Sequence, residues 1–279
     1  MQDKGSSRTA LVTAYLRAAH QIIDLGPCIL DDPVALTILG PGADEQIRAA
    51  KDKFMSCKAK ALRAHVVLRS RYAEDRLESS IERGIRQYVL IGAGFDTFAL
   101  RQPNWATRLR IIEVDHPNTQ RQKRLRISNA GMHVPGNVDF VSINFEQESL
   151  EDGLTRVGVH TDKPTFFSWL GVTMYLTEAA IDSTLRYMAA FPGGSEAVIS
   201  FLQPPAVRSM ASHELAERVS ETGEPFISYF TCERIKEKLM TAGFSYALFL
   251  TRELSAPLFA KNESSLSNPN QVSIVSAVI

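Results

Sequence analysis

Residues 87–96 read QYVLIGAGFD, and the fold turns on them. The run Tyr88-Val89-Leu90-Ile91 is short, apolar and rich in β-favouring residues, which predicts a strand buried on both faces. Gly92-Ala93-Gly94 follows at once. Glycines at the end of such a strand let the backbone turn tightly and come close to a ligand. In an open α/β sheet this first crossover is where nucleotide-like ligands bind. A dinucleotide fingerprint, G-x-G-x-x-G/A, would need Gly or Ala at position 97, where Thr97 stands; the pattern present is G-x-G-x-D, with Asp96 on the loop. Taken alone, the loop also reads as a plain turn.

Working outward, similar apolar runs recur at 109–114, 138–143, 165–170, 197–202, 246–251 and 272–279. Helical or polar segments separate most of them, so the expectation is a largely parallel sheet covered on both faces. Residues 255–271 are Ser/Asn-rich without a helical pattern, which predicts that the last two strands are antiparallel neighbours. Upstream the chain reads as helix: from a Ser6 or Ser7 cap to about Asp24, briefly after Asp31-Asp32-Pro33, and from Ala43 to Arg83 in one or two pieces, with Gly84 as the stop. The fold class expected is α/β: a Rossmann-like seven-stranded sheet, mostly parallel with an antiparallel last strand. A single domain over 1–279 is expected, with 1–83 as a helical cap on a sheet region 84–279 and a substrate-side insertion at 203–230.

Composition agrees and excludes alternatives. The 279 residues carry 31 Lys+Arg against 31 Asp+Glu, so no bulk charge draws the chain toward nucleic acid or anionic lipid. A 44% hydrophobic and 22% charged chain is neither disordered nor collagenous. Cys28, Cys57 and Cys232 lack C-x-x-C spacing, which argues against a disulfide framework or a zinc cage and for a cytoplasmic protein. No stretch approaches the ~18 apolar residues of a membrane span.

Three further features gather round the glycine loop. Asp115 ends the second apolar run, 21 positions after Gly94; a carboxylate there accepts hydrogen bonds from ribose hydroxyls, or is a solvated strand end before His116-Pro117. Asn144 and Phe145 end the third, where an amide oxygen and a backbone N–H suit an adenine edge, although Asn is also a good turn residue. Arg69 shares a helical face with Leu62, Val66, Ala73 and Leu77. A guanidinium on an apolar stripe needs a partner, either a ligand carboxylate held bidentately or an internal acid.

The motifs GAGFDTFALR (92–101), EVDHP (113–117), VSINFE (141–146) and WLGVTMYL (169–176) resemble the leucine carboxyl methyltransferase-like family, in its bacterial S-adenosylmethionine-dependent branch that includes polyketide O-methyltransferases. SRTA (7–10), RSRY (69–72) and GEPF (223–226) extend the resemblance over nearly the whole chain. It implies S-adenosyl-L-methionine as cofactor, with Arg69 on the methionine carboxylate. Gly92, Ala93 and Gly94 would line the methionine moiety, Asp115 the ribose, and Asn144 and Phe145 the adenine. Two positions depart from the family pattern. Asn144 stands where Asp is common, and Leu170 stands where an acid often contacts the cofactor's amino group.

The implied reaction is O-methylation of a small molecule, in which the cofactor carries the activated methyl group and the protein aligns an acceptor and excludes water. A carboxylate acceptor needs no base, whereas a phenol with a pKa of about 10 does. No catalytic residue is assigned. Tyr175, Phe226 and Tyr229, with Phe230 beside them, are expected to line the acceptor pocket. None of the histidines shows the spacing of a site, and His65 is expected on a helix surface. The run Arg121–Arg126 is expected to be a solvated helix face. The expected partner is a small-molecule methyl acceptor, not nucleic acid or membrane. A non-catalytic cofactor- or metabolite-binding protein on a methyltransferase fold is the alternative, and Thr97 disfavours a nicotinamide-dependent oxidoreductase.

Overall fold

The computed structural model describes residues 7–24, 26–145, 147–204, 225–260, 266–270 and 272–279. Seven strands form: β1 (Gln87–Ile91), β2 (Arg110–Asp115), β3 (Val138–Ser142), β4 (Thr165–Trp169), β5 (Glu196–Ser200), β6 (Tyr246–Phe249) and β7 (Ile274–Val278). They make one sheet in the order β3-β2-β1-β4-β5-β7-β6. β3 to β5 are parallel, and β7 runs antiparallel to both β5 and β6. The chain leaves β1 toward β2 and β3 and returns to its other side with β4. The switch point at which such sheets bind ligands therefore lies between β1 and β4.

The side-chain period of two divides β1 between two cores. Val89 and Ile91 pack with Ile112, Val114, Phe167 and Trp169 on one face. Tyr88 and Leu90 pack with Ile111, Phe166 and Phe98 on the other, under Leu68, Ala73 and Leu77 of a long helix. All five residues of β1 are buried, as the uniform apolar run required. The register sets Ile91 beside Val114 and Trp169. Gly92, Asp115 and Leu170 consequently leave the sheet at one edge.

Helices α1 (Arg8–Ile22), α2 (Val34–Thr37), α3 (Ala43–Ala49), α4 (Lys51–Met55) and α5 (Cys57–Glu82) precede the sheet. The stretch 43–83 is thus three helices. Ser56 makes the last break: its extended backbone ends α4, and its Oγ caps α5 through the Ala59 amide. α5 runs opposite to the parallel strands. Near its end Arg76, Ser80 and Arg83 converge on Glu196, the first residue of β5, at 2.6, 2.9 and 2.5 Å. A side chain nearer its start, Arg69, reaches Gly171, beyond the last residue of β4.

After β1 come α6 (Phe98–Arg101), α7 (Pro117–Asn129), α8 (Leu150–Arg156), α9 (Glu178–Ala189), α10 (Cys232–Ala242) and α11 (Arg252–Ala260). α11 corrects the expectation of a helix-free 255–271. Pro257 lies inside it, and its Ser-rich neighbourhood reads as turn. Ser255 and the Arg252 carbonyl are nevertheless tied to Asn268 at 2.8 and 2.7 Å. The 121–126 run also needs correction: Lys123 is buried and meets the buried Glu113 at 2.6 Å. No helix among the described residues is long and apolar enough to cross a membrane.

Candidate functional site

The glycine loop is shaped by what lies on either side of it. Gly92 has φ +71°, and a Cβ there would stand 2.2 Å from Val172 Cγ2. Only glycine turns the chain out of β1 with the segment after β4 so close. On the other side, a Cβ on Gly94 would stand 3.2 Å from Ala10 Cβ, so the first turn of α1 lies on the loop. Ser7 holds that turn in place: its Oγ accepts the Ala10 amide at 3.1 Å, and its own amide donates to Thr119 Oγ1 of α7 at 3.2 Å.

Thr97 fills the position where a dinucleotide fold needs a small residue, and the structure gives it another task. Its hydroxyl donates to Asp32 Oδ1 at 2.6 Å. Asp32 is fully buried and also takes Arg17 Nε at 3.0 Å, with Arg101 Nε 3.7 Å away. Arg17 continues to the Phe95 carbonyl at 2.5 Å. Arg101 pairs with Glu74 of α5. Burial pushes the Glu74 carboxyl up to about 7, against the pull of Arg101. This ion network beneath the loop was missed from sequence. Its one visible signal is Asp31-Asp32 ahead of Pro33, which reads first as a helix start.

Asp115 ends β2 as expected, and its carboxylate is fastened to the loop. Oδ2 accepts the Gly94 N–H, and Oδ1 accepts the His116 N–H at 2.6 Å. Burial pushes its carboxyl up, against those two hydrogen bonds. Each carboxylate oxygen has a second lone pair, so Asp115 retains acceptor capacity. Asn144 opens a turn after β3, its carbonyl accepting the amides of Gln147 and Glu148 at 2.8 and 3.0 Å. The Phe145 ring packs partly buried on the core. Its N–H makes no hydrogen bond among the described residues.

Arg69 is the unusual charge. Gly171 has φ +75°, and a Cβ there would stand 2.6 and 2.7 Å from the two terminal guanidinium nitrogens. The guanidinium therefore lies flat against a bare backbone, at the switch-point edge. Among the described residues it has no hydrogen bond and no ion pair. Burial pushes its pKa down to about 10, the like charge of Arg17 adds to this, and Tyr175 and Asp96 oppose it. Among the described residues no acid forms an ion pair with it, and Asp96 acts on it only at longer range.

Tyr175, whose charge acts on Arg69, sits in a single 3-10 turn (Thr173–Tyr175) after β4. Its ring lies 5.3 Å from that of Phe226. Residues 225–230 are held on this turn: Ile227 donates to the Met174 carbonyl at 2.8 Å, and Ser228 Oγ donates to the Leu176 carbonyl at 2.5 Å. Tyr229 is half-buried, its hydroxyl donating to the Phe226 carbonyl at 3.3 Å. Phe230 departs from expectation, since it is buried in the core with Lys238 over its ring. Residues 205–224, most of the insertion expected to face the substrate, lie outside the described residues. His65 is half-buried and not freely solvated: burial, with Arg69 one turn away, pushes its pKa down to about 4.

The structure thus brings Arg69, the glycine loop, Asp115 and Tyr175 with Phe226 to one edge, while Asn144 and Phe145 lie farther along it, at the end of β3. Among the described residues no group of His, Cys, Asp and Glu is placed to hold a metal ion.

Comparison with known proteins bears on the family and the fold. The sequence profile of the family described as "Leucine carboxyl methyltransferase" matches residues 10–189. A Bacillus subtilis (strain 168) protein named "Putative S-adenosyl-L-methionine-dependent methyltransferase YktD" is 28% identical over 304 aligned positions, covering 100% of this chain and 99% of its own. A Mycobacterium avium (strain 104) protein of the same name, without the final symbol, is 26% identical over 76% of this chain and 72% of its own. Among solved structures, a "putative methyltransferase" from Thermobifida fusca YX superposes with a TM-score of 0.63 at 16% identity, covering 99% of this chain and 96% of its own. A DUF574 family protein from Streptomyces avermitilis gives 0.60 at 15% identity, over 99% and 98%. At these identities the superpositions speak for the fold alone.

Proposed function

Since the chain belongs to the leucine carboxyl methyltransferase family and is an S-adenosylmethionine-dependent methyltransferase, we propose that it methylates an oxygen, carboxylate or hydroxyl, of a small molecule at the edge described above. The observation that carries the reading is the Arg69 guanidinium, which lies against Gly171 within the electrostatic reach of Asp96 on the glycine loop and has no hydrogen bond or ion pair among the described residues. A buried cation without a counter-charge is costly. A ligand carboxylate meeting it bidentately removes that cost.

The residues fit the cofactor. Arg69 would hold the methionine carboxylate, and Gly92, Ala93 and Gly94 would lie along the methionine chain. Asp115, already fixed by the Gly94 amide, would take the ribose hydroxyls. Asn144 and the Phe145 N–H would meet the adenine. When bound, the cofactor supplies a methyl group on a positively charged sulfur, so the protein need not activate the electrophile.

The chain's own contribution is alignment and exclusion of water. Tyr175 and Phe226 form an aromatic wall beside Arg69, and Tyr229 braces it through the Phe226 carbonyl. Such a wall suits a planar or apolar acceptor of modest size. The balanced net charge supports a small molecule over nucleic acid.

Calorimetry with S-adenosylhomocysteine, followed by transfer of labelled methyl groups to panels of carboxylic acids and phenols, tests this. Binding together with turnover on either panel is the expected result. Absence of binding by the wild-type chain overturns the site, and transfer to nitrogen or carbon acceptors only overturns the O-methyl assignment.

A further inference from the structure

α5 carries a second group whose position is unexplained. His65 lies four residues before Arg69, on the same helical face and one turn away, where side chains are neighbours. Because α5 runs opposite to the parallel strands, and Arg69 is already level with Gly171 past the end of β4, that turn carries His65 farther outward. At 1.5 Å per residue the step is about 6 Å, beyond the place of the cofactor carboxylate. Among the described residues His65 makes no hydrogen bond. It is also only partly covered. A neutral imidazole always has one nitrogen free to accept a proton.

The charges around it are few. From its own helix, Arg69 acts on His65 directly. Arg17 of α1, Asp96 of the glycine loop and Tyr175 after β4 act on Arg69 in turn. No acid among the described residues is paired with His65. Burial is the larger cause of the depressed His65 basicity and the Arg69 charge the second, so whatever neutralises Arg69 relieves part of it.

We propose that His65 is the proton acceptor on the substrate side of this site, that it serves a hydroxyl and not a carboxylate acceptor, and that an anion seated on Arg69 is what makes it basic enough. The proposal rests on the reading of Arg69 given above. In the step, the acceptor's O–H bond breaks and an imidazole N–H bond forms, while the oxygen uses a lone pair for its new bond to the methyl carbon. The electron pair of the broken carbon–sulfur bond stays on sulfur, so one positive charge disappears there and one appears on the imidazolium. Water then removes the proton. A carboxylate acceptor has no proton to give and makes no use of this group.

The test follows the six histidines by nuclear magnetic resonance of carbon-13-labelled imidazoles, with His65→Gln assigning the His65 signal. Free wild-type protein should titrate at His65 near 4. Saturating S-adenosylhomocysteine should raise that value by about one unit or more, as removal of a neighbouring charge does. Arg69→Met should raise it without any ligand. A His65 value unchanged by bound S-adenosylhomocysteine overturns the proposal. If calorimetry shows that S-adenosylhomocysteine does not bind, the Arg69 reading fails instead. The Arg69→Met titration then still decides whether the two side chains are coupled.

Discussion

Two stretches of α5, its last turns beside β5 and its middle beside the segment after β4, treat buried charge in opposite ways. In the last turns Arg76, Arg83 and Ser80 all meet Glu196, which also accepts Ser276 Oγ at 2.6 Å. Those contacts hold the Glu196 carboxyl below its usual range despite its burial. In the middle, past Arg63 of the first turns and its pair with Asp24, Arg69 and His65 share a face with no hydrogen bond or ion pair among the described residues, and both are pushed toward their neutral forms. The charges of the last turns fasten a helix to a sheet. Those of the middle cost stability in the free protein, a pattern expected where a ligand completes the arrangement.

This contrast can be broken by substitution in either stretch. Arg69→Met should weaken S-adenosylhomocysteine binding about 100-fold, the scale of a hydrogen-bonded charge pair. The same change should not lower the melting temperature. A base whose folded pKa is depressed, here to about 10, loses stability as pH falls through that value, so at pH 7 its charge is a net burden. Glu196→Ala should do the reverse. It should cost about 2 kcal/mol in denaturant unfolding by orphaning two hydroxyls and two guanidinium groups, with affinity unchanged.

Gly171→Ala probes the middle stretch from the other side. The added methyl meets both guanidinium nitrogens at under 3 Å in a left-handed backbone. It should reduce affinity about 10-fold and stability by about 1 kcal/mol, read by calorimetry and thermal melts. The smallest effect belongs to His65. Its folded pKa is depressed, so its contribution is intact above the ordinary value near 6.5 and is lost as pH falls toward 4. Unfolding measured across that window should show a weaker pH dependence in His65→Gln than in the wild type.

Much of this was legible in the sequence because it depends on local pattern. The runs that became β1, β2 and β4 are largely apolar and bounded by polar or glycine residues, so their buried, parallel character could be read directly, while β3 is parallel but only half-buried. Asp115 and Gly92 were legible for the same reason, each being fixed by its place at a strand end. Periodicity placed Arg69 on the apolar face of α5 but could not supply its surroundings. Only the folded chain shows that no described acid pairs with it and that Gly171 lies against it. His65 was misread because a histidine beside charged residues on a long helix looks solvated until its burial in the fold is known. The Asp32 network joins residues from 17 to 101 in sequence, a separation that no window reveals. α11 was lost to Pro257, whose usual meaning as a breaker was overridden by the Asn268 ties.

The most direct test of the central claim compares two ligands that differ by the group Arg69 is held to bind. Calorimetry would measure S-adenosylhomocysteine and 5′-methylthioadenosine, which lacks the amino-acid carboxylate, on the wild type and on Arg69→Met. The account predicts that the wild type prefers S-adenosylhomocysteine by about 100-fold and that the variant binds both alike. Equal affinities in the wild type, or a loss in Arg69→Met that falls equally on both ligands, would contradict it.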